Sequence, residues 1–183
     1  RVLFRSINGK DDQAQITGTA VGAVTEDQQL TAAGQLTATT PDAGGTTFVP
    51  MTGAAGTYGT FTIDANGQWS YQLDNGNQQV QALTSTDQVT DTITVSTADG
   101  ATQQITITVN GTDDQAVISG TATGAVTEDQ QLTASGQLTA STPDAGGTVF
   151  VPITGAAGTY GSFTVDANGH WDYQLDNSNP QVQ

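Results

Sequence analysis

Phe61-Thr62-Ile63-Asp64-Ala65-Asn66-Gly67-Gln68-Trp69-Ser70-Tyr71-Gln72-Leu73 reads as two strands and the turn that joins them. Phe61 and Ile63 fall on one side of an extended segment, and Trp69, Tyr71 and Leu73 on one side of the next. Asp64-Ala65-Asn66-Gly67 supplies the turn, with Gly where a positive φ is needed, so the stretch is a β-hairpin. The hairpin returns around Asp166-Ala167-Asn168-Gly169 as part of a larger repeat. Residues 8–81 recur at 110–183 with a fixed offset of 102, and about 60 of the 74 aligned pairs are identical. A period near one hundred exceeds the roughly 20–50 residues of a solenoid unit. It suits one small β-sandwich per repeat.

Working outward from the hairpin, strands are expected near 15–24, 29–39, 46–51, 58–63, 68–73, 89–96 and 102–110. A short helical turn is expected at 79–83. Gln104-Ile105-Thr106-Ile107-Thr108-Val109 alternates polar and apolar, the mark of a strand with one wet and one buried face. Seven short strands with turn signals between them predict an all-β chain of tandem antiparallel sandwiches, immunoglobulin- or cadherin-like, with about seven strands per repeat. Phe48, Phe61, Trp69 and Tyr71 are the expected core. Residues 1–12 read as the final strand and linker of a preceding repeat, with Arg1–Asn8 in the place of that strand. Residues 13–112 read as a complete sandwich, and 113–183 as a second repeat without its last two strands. Those two strands are expected from continuation of the chain, or else from another chain.

Composition alone points elsewhere. Leu, Ile, Val and Phe make only 35 of 183 residues beside a net charge of -15, a balance typical of disorder. The strand patterning and 33 threonines argue for a folded β protein instead. Charge is also segregated. The three basic residues, Arg1, Arg5 and Lys10, precede all eighteen acidic ones, and no Lys or Arg follows Asp11. Two carboxylates about 5 Å apart repel by roughly 3 kcal/mol at an effective dielectric of 20. A fold that gathers them therefore calls for a cation. Nucleic acid and anionic membrane are poor partners for such a surface, and no apolar run is long enough for direct membrane insertion. The absence of cysteine excludes disulfides and thiolate sites.

If successive strands alternate direction, Glu26, Asp27, Asn110, Asp113 and Asp114 collect at one pole of the first sandwich. Asp11, Asp12, Asp42 and Asp99 collect at the other. Stacking of repeats would bring the first group to face Asp144 across the junction. This is an all-oxygen environment suited to Ca²⁺ rather than zinc or copper. The plainer alternative is that these residues are solvated turn formers. Asp64 and Asp166 are accounted for by their turns.

Several ordered landmarks carry a family resemblance. They are Gly-Ala-Val-Thr-Glu-Asp (22–27), Thr-Pro-Asp-Ala-Gly (40–44), Gly-Thr-Tyr-Gly-Thr-Phe-Thr-Ile-Asp (56–64) and Asn-Gly-Gln-Trp-Ser-Tyr-Gln-Leu-Asp-Asn (66–75). Val-Gln-Ala-Leu (80–83), Asp-Thr-Ile-Thr-Val (91–95) and Val-Asn-Gly-Thr-Asp-Asp (109–114) follow. Each repeat resembles a VCBS-type repeat of large bacterial RTX-class surface adhesins, over essentially everything after residue 8. The resemblance implies a calcium-rigidified, immunoglobulin-like extender in a secreted or surface-anchored protein, outside the cell at the bacterial surface or in biofilm matrix. Asn-Gly-Thr-Asp-Asp is also similar to the acidic linker of cadherins. Lys10 departs from the pattern, standing where the second joint has Thr112, and the Gly-Gly-x-Gly-x-Asp nonapeptides of RTX proteins are absent.

No nucleophile elbow, zincin motif or phosphate loop appears, so no enzyme is expected. His170 matches Gln68 in the other copy and reads as a surface hairpin residue. The first expectation is thus a structural module whose partners are neighbouring repeats. The alternatives are a carbohydrate-binding sandwich with exposed aromatics, or a fibre subunit joined to other copies by strand donation.

Overall fold

Thirteen strands and one short helix make up the described residues of the chain. The computed structural model describes residues 10, 12–42 and 45–183. The expected strand at 1–8 and the candidate ligand Asp11 lie outside them. The chain divides into two units, Arg1–Thr112 and Asp113–Gln183.

Unit 1 holds β1 (Gln15–Gly18), β2 (Val21–Thr25), β3 (Thr31–Thr39), β4 (Met51–Ala55), β5 (Gly59–Ile63) and β6 (Gln68–Leu73). After the helix α1 (Gln78–Gln81) come β7 (Gln88–Ser96) and β8 (Thr102–Asn110). One sheet runs β1-β3-β6-β5-β4 and the other β2-β8-β7. The β5–β6 hairpin forms as its sequence predicts: Ile63 pairs with Trp69 and Phe61 with Tyr71. Gly67 has φ +85, and the Asp64 carboxylate accepts hydrogen bonds from Asn66 N and Gln68 N, both at 2.9 Å. Asn77 caps α1, its side chain accepting from Gln79 N at 2.9 Å.

Apolar side chains from both sheets meet in one core. Leu36, Phe61, Ile63, Trp69, Tyr71 and Leu73 come from the larger sheet; Val24, Val95, Ile105, Ile107 and Val109 come from the smaller. Phe48 joins them. Trp69 stacks on Phe61 with ring centroids 6.0 Å apart and donates Nε1–H to Thr19 O at 2.7 Å. The four aromatics expected in the core are all there, between 0 and 2 % exposed.

Unit 1 is therefore the expected all-β, two-sheet sandwich, with two local departures from the expected strands. The segment 15–24 is two strands in two sheets, because Gly18 (φ +110) turns the chain between β1 and β2. β2 then pairs with β8 in parallel, Val21 opposite Thr106 and Thr25 opposite Asn110. The strand placed at 46–51 lies later, at β4, with a single bridge between Phe48 and Thr97 before it.

Unit 2 holds β9 (Val117–Gly120), β10 (Thr133–Ser141), β11 (Ile153–Ala157), β12 (Gly161–Val165) and β13 (His170–Leu175). They form one sheet, β11-β12-β13-β10-β9, matching the larger sheet of unit 1 strand for strand. Residues 123–127, which match β2, are not a strand here. Thr-Gly-Ala-Val-Thr thus differs from Val-Gly-Ala-Val-Thr less in propensity than in setting, since β2 owes its strand form to pairing with β8.

Candidate metal-binding poles

The C-terminal pole of unit 1 is built where β2 and β8 end side by side. Glu26 N donates to Asn110 O at 3.1 Å, continuing the parallel ladder by one bond. Asn110 Nδ2 donates to Val24 O at 3.0 Å. Thr112 then closes over Glu26: its N–H donates to Oε1 at 3.2 Å and its hydroxyl to the main-chain oxygen at 3.0 Å. Glu26 is 0 % exposed, an unusual position for a carboxylate, and is held by two elements 86 residues apart. The matching Glu128 of unit 2 is exposed.

Asp27, at φ +56, is oriented differently. Its N–H donates to Asn75 Oδ1 at 3.0 Å, and Asn75 Nδ2 donates to its carboxylate at 2.6 Å. Unit 1 thus brings Glu26 and Asn110 together, with Asp27 engaged by the loop after β6. Asp129 and Asn177 repeat that exchange in unit 2.

The N-terminal poles carry a second repeated arrangement. In unit 1, Asp12 N donates to Asp42 Oδ2 at 2.5 Å and Thr40 Oγ1 donates to Asp12 O at 3.0 Å. In unit 2, Asp114 N donates to Asp144 Oδ2 at 2.6 Å, and Thr142 Oγ1 to Asp114 O at 3.4 Å. Asp144 Oδ1 is buried and accepts no hydrogen bond among the described residues. Asp113 is exposed. Asp99 joins the N-terminal pole of unit 1, its Oδ2 accepting from Ala14 N at 2.5 Å and its Oδ1 from the Thr97 hydroxyl and Ala101 N.

The Thr97 hydroxyl is the main reason that the Asp99 carboxyl titrates below its ordinary 3.8; desolvation opposes this, and the N–H groups of Ala101 and Ala14 assist. With a folded value below the unfolded one, the stabilisation from this carboxylate is complete above the unfolded value, about 3.9. It is lost as pH falls through the folded value. An NMR titration should place the Asp99 midpoint below 3.8, and Asp99→Asn should flatten the acid limb of unit 1 unfolding.

Chemically, the poles offer carboxylate, amide and main-chain oxygens. The donor set fits a hard cation such as Ca²⁺ and offers nothing to a soft one. The tryptophans expected for sugar stacking in the alternative reading are buried in both units, and His170 is an exposed hairpin residue 3.3 Å from Asp172. One buried acid has no part in the expected sites. Asp91, on β7, is 3 % exposed and accepts from Thr57 N at 3.1 Å, Tyr58 N at 3.0 Å and Tyr71 Oη at 2.9 Å. Burial above all, then this bond, raises the Tyr71 pKa far beyond the ordinary phenol value. Its sequence signal was an acid at a position where the β7 alternation brings it to the core face.

A family model described as "Bacterial cadherin-like domain" matches residues 11–111. No curated protein matches the chain. Among solved structures, the protocadherin gamma B4 extracellular domain is similar at TM-score 0.50 and 12% identity, over 93% of this chain and 28% of that one. Protocadherin gamma B2 extracellular cadherin domains 3-6 give TM-score 0.48 and 16% identity, over 89% and 38%. The human desmocollin-1 ectodomain gives 0.40 and 11%, over 94% and 32%. The chain thus spans well under half of each of these structures.

Proposed function

Because the chain belongs to the bacterial cadherin-like domain family, we propose that it is a calcium-rigidified extender segment of an extracellular adhesin or matrix protein. The observation that carries this reading is the Glu26 carboxylate, buried and pinned by Thr112 at the pole where unit 1 runs into Asp113 and Asp114. Such a group is expensive to bury unless a cation or its equivalent compensates it. Glu26, Asn110, Asp113, Asp114 and Asp144 are the residues we assign to calcium at the joint, with Asp27 beside them. Asp11, Asp12, Asp42 and Asp99 would serve the preceding joint in the same way. Calcium would cancel the repulsion of the acids and fix the angle between repeats, so that a string of units behaves as a rod. The partners are then the neighbouring repeats, at the bacterial cell surface.

Modules outside the cell bind calcium at about 0.1–1 mM. One site with a dissociation constant of about 0.1 mM gives about 1.4 kcal/mol at 1 mM calcium, or roughly 5 °C in the melting temperature of a domain this size. Calorimetry of the chain in 1 mM calcium and in chelator should show that difference, and Glu26→Gln should abolish it. Identical melting in the two conditions would sink the proposal.

A further inference from the structure

Five asparagines of the chain are followed by glycine, and four of these pairs, at 66–67, 75–76, 110–111 and 168–169, lie among the described residues. An Asn-Gly pair is chemically self-reactive. Once the glycine N–H loses its proton, the nitrogen can attack the side-chain carbonyl carbon of the asparagine, and glycine has no Cβ to shield it. The reaction needs that nitrogen to be accessible, and the fold makes the four pairs unequal.

Three of them are locked. Gly67, Gly111 and Gly169 are buried, and each donates its N–H to a main-chain oxygen: Asp64 O at 3.1 Å, Asp87 O at 3.1 Å and Asp166 O at 3.0 Å. Packing demands glycine at all three, since a Cβ would lie 2.4 Å from Leu36 O, 2.3 Å from Thr84 O and 2.4 Å from Leu138 O. Gly76 differs on every count. It is exposed and outside the left-handed region, and a Cβ there would meet nothing nearer than Asp74 Oδ1, at an ordinary contact distance of 3.4 Å. Its N–H donates to the Asp74 carboxylate at 3.0 Å in a bond exposed to solvent. The matching turn of unit 2 carries Ser178, with the same bond to Asp176 at 2.9 Å, so the turn does not require glycine. What restrains Asn75 is the exchange with Asp27, whose two hydrogen bonds are both exposed. Local opening of that exchange frees the side chain to turn toward Gly76 N.

We infer that Asn75-Gly76 is a self-modification site, at which Asn75 is deamidated through a cyclic imide and the C-terminal pole of unit 1 gains a carboxylate facing Asp27. Gly76 N forms a bond to Asn75 Cγ, the bond from Cγ to Nδ2 breaks, and ammonia leaves with the proton that Gly76 gave up. Water then opens the imide at either carbonyl, leaving aspartate or isoaspartate. The product replaces the Nδ2 donor, 2.6 Å from the Asp27 carboxylate, by an anionic oxygen, so the exchange that restrained the loop is broken by the reaction itself. This goes beyond the calcium reading and does not depend on it, since no ion takes part in the step.

The test is to age the 183-residue chain in chelator at mildly alkaline pH and to follow each asparagine by peptide mass mapping after chymotrypsin. Asn75 should lose its amide several-fold faster than Asn66, Asn110 and Asn168, and faster than Asn177, which is held by Asp129 in the same way but precedes serine. In urea the four Asn-Gly pairs should react alike, because the fold no longer distinguishes them. Asp27→Gly, which keeps the positive φ without strain, should speed the loss at Asn75 in the folded chain. Gly76→Ser should slow it to the rate of Asn177 and leave the melting temperature unchanged. Asn75→Asp, which carries the charge of the product, should move the same Asp27 amide resonance that ageing moves. Asn75 retained as long as Asn177, or lost no sooner than the locked pairs, overturns the inference. So does an Asp27→Gly chain that ages at the wild-type rate, or an Asp27 resonance that stays in place.

Discussion

Replacing Asp91 by Ala should destabilise unit 1 by about 3 kcal/mol, more than a typical substitution on a strand. The carboxylate is the shared acceptor of two main-chain N–H groups and the Tyr71 hydroxyl. Removing it leaves the buried Tyr71 phenol and the two main-chain N–H groups without their shared acceptor. Asp91→Asn keeps the volume but turns one acceptor into a donor aimed at other donors, and should cost about 2 kcal/mol. Pairing Asp91→Ala with Tyr71→Phe should recover part of the loss, since the stranded hydroxyl is then absent. Urea unfolding followed by tryptophan fluorescence, in a Trp171→Phe background so that Trp69 is the sole reporter, measures all three. A change within 0.5 kcal/mol for Asp91→Ala, the usual range for a surface residue, would contradict the assignment.

The second large effect is expected at Trp69. It is 1 % exposed, stacked on Phe61 and hydrogen-bonded to Thr19 O. Large-to-small changes of this kind cost about 3–5 kcal/mol through lost contacts and the cavity left behind. Against a domain stability of about 5–15 kcal/mol, Trp69→Ala should remove a third or more of the stability of unit 1 at the middle of that range and lower its melting temperature well below that of the unsubstituted chain. Trp171→Ala should cost less, because Trp171 has the same stack on Phe163 but lies beside an open groove. Calorimetry of the two variants compares them directly, and equal losses would mean that the β7–β8 hairpin adds nothing to the packing of Trp69.

Much of the fold was legible because strand periodicity reports which face is buried. Residues 58–63, 68–73, 89–96 and 102–110 alternate plainly, and each forms a strand close to those bounds. Less legible was the segment 15–24. Its polar and small residues are compatible with one long strand, and only the left-handed turn at Gly18 separates the halves. The parallel pairing of β2 was hidden for the same reason: register between residues 85 apart is a tertiary fact. At the poles, acidic residues were visible as a class, but their holders were not. Thr112 and Asn75 are ordinary polar residues until the fold places them beside Glu26 and Asp27. Asp91 was missed because a carboxylate in an alternating strand reads as solvent-facing by default.

The parallel pairing of β2 with β8 also decides how unit 1 answers to tension. A pull on its two ends enters through the first strands and leaves through β8, and β2 and β8 run the same way. The five paired positions from Val21 to Thr25 are then loaded together in shear, instead of opening one after another like a zip. Glu26 N to Asn110 O and Thr112 to Glu26 lie at the end of the same seam and share that load. Under tension the strength of the unit is therefore set by this short seam rather than by the large sheet that holds most of its aromatic core.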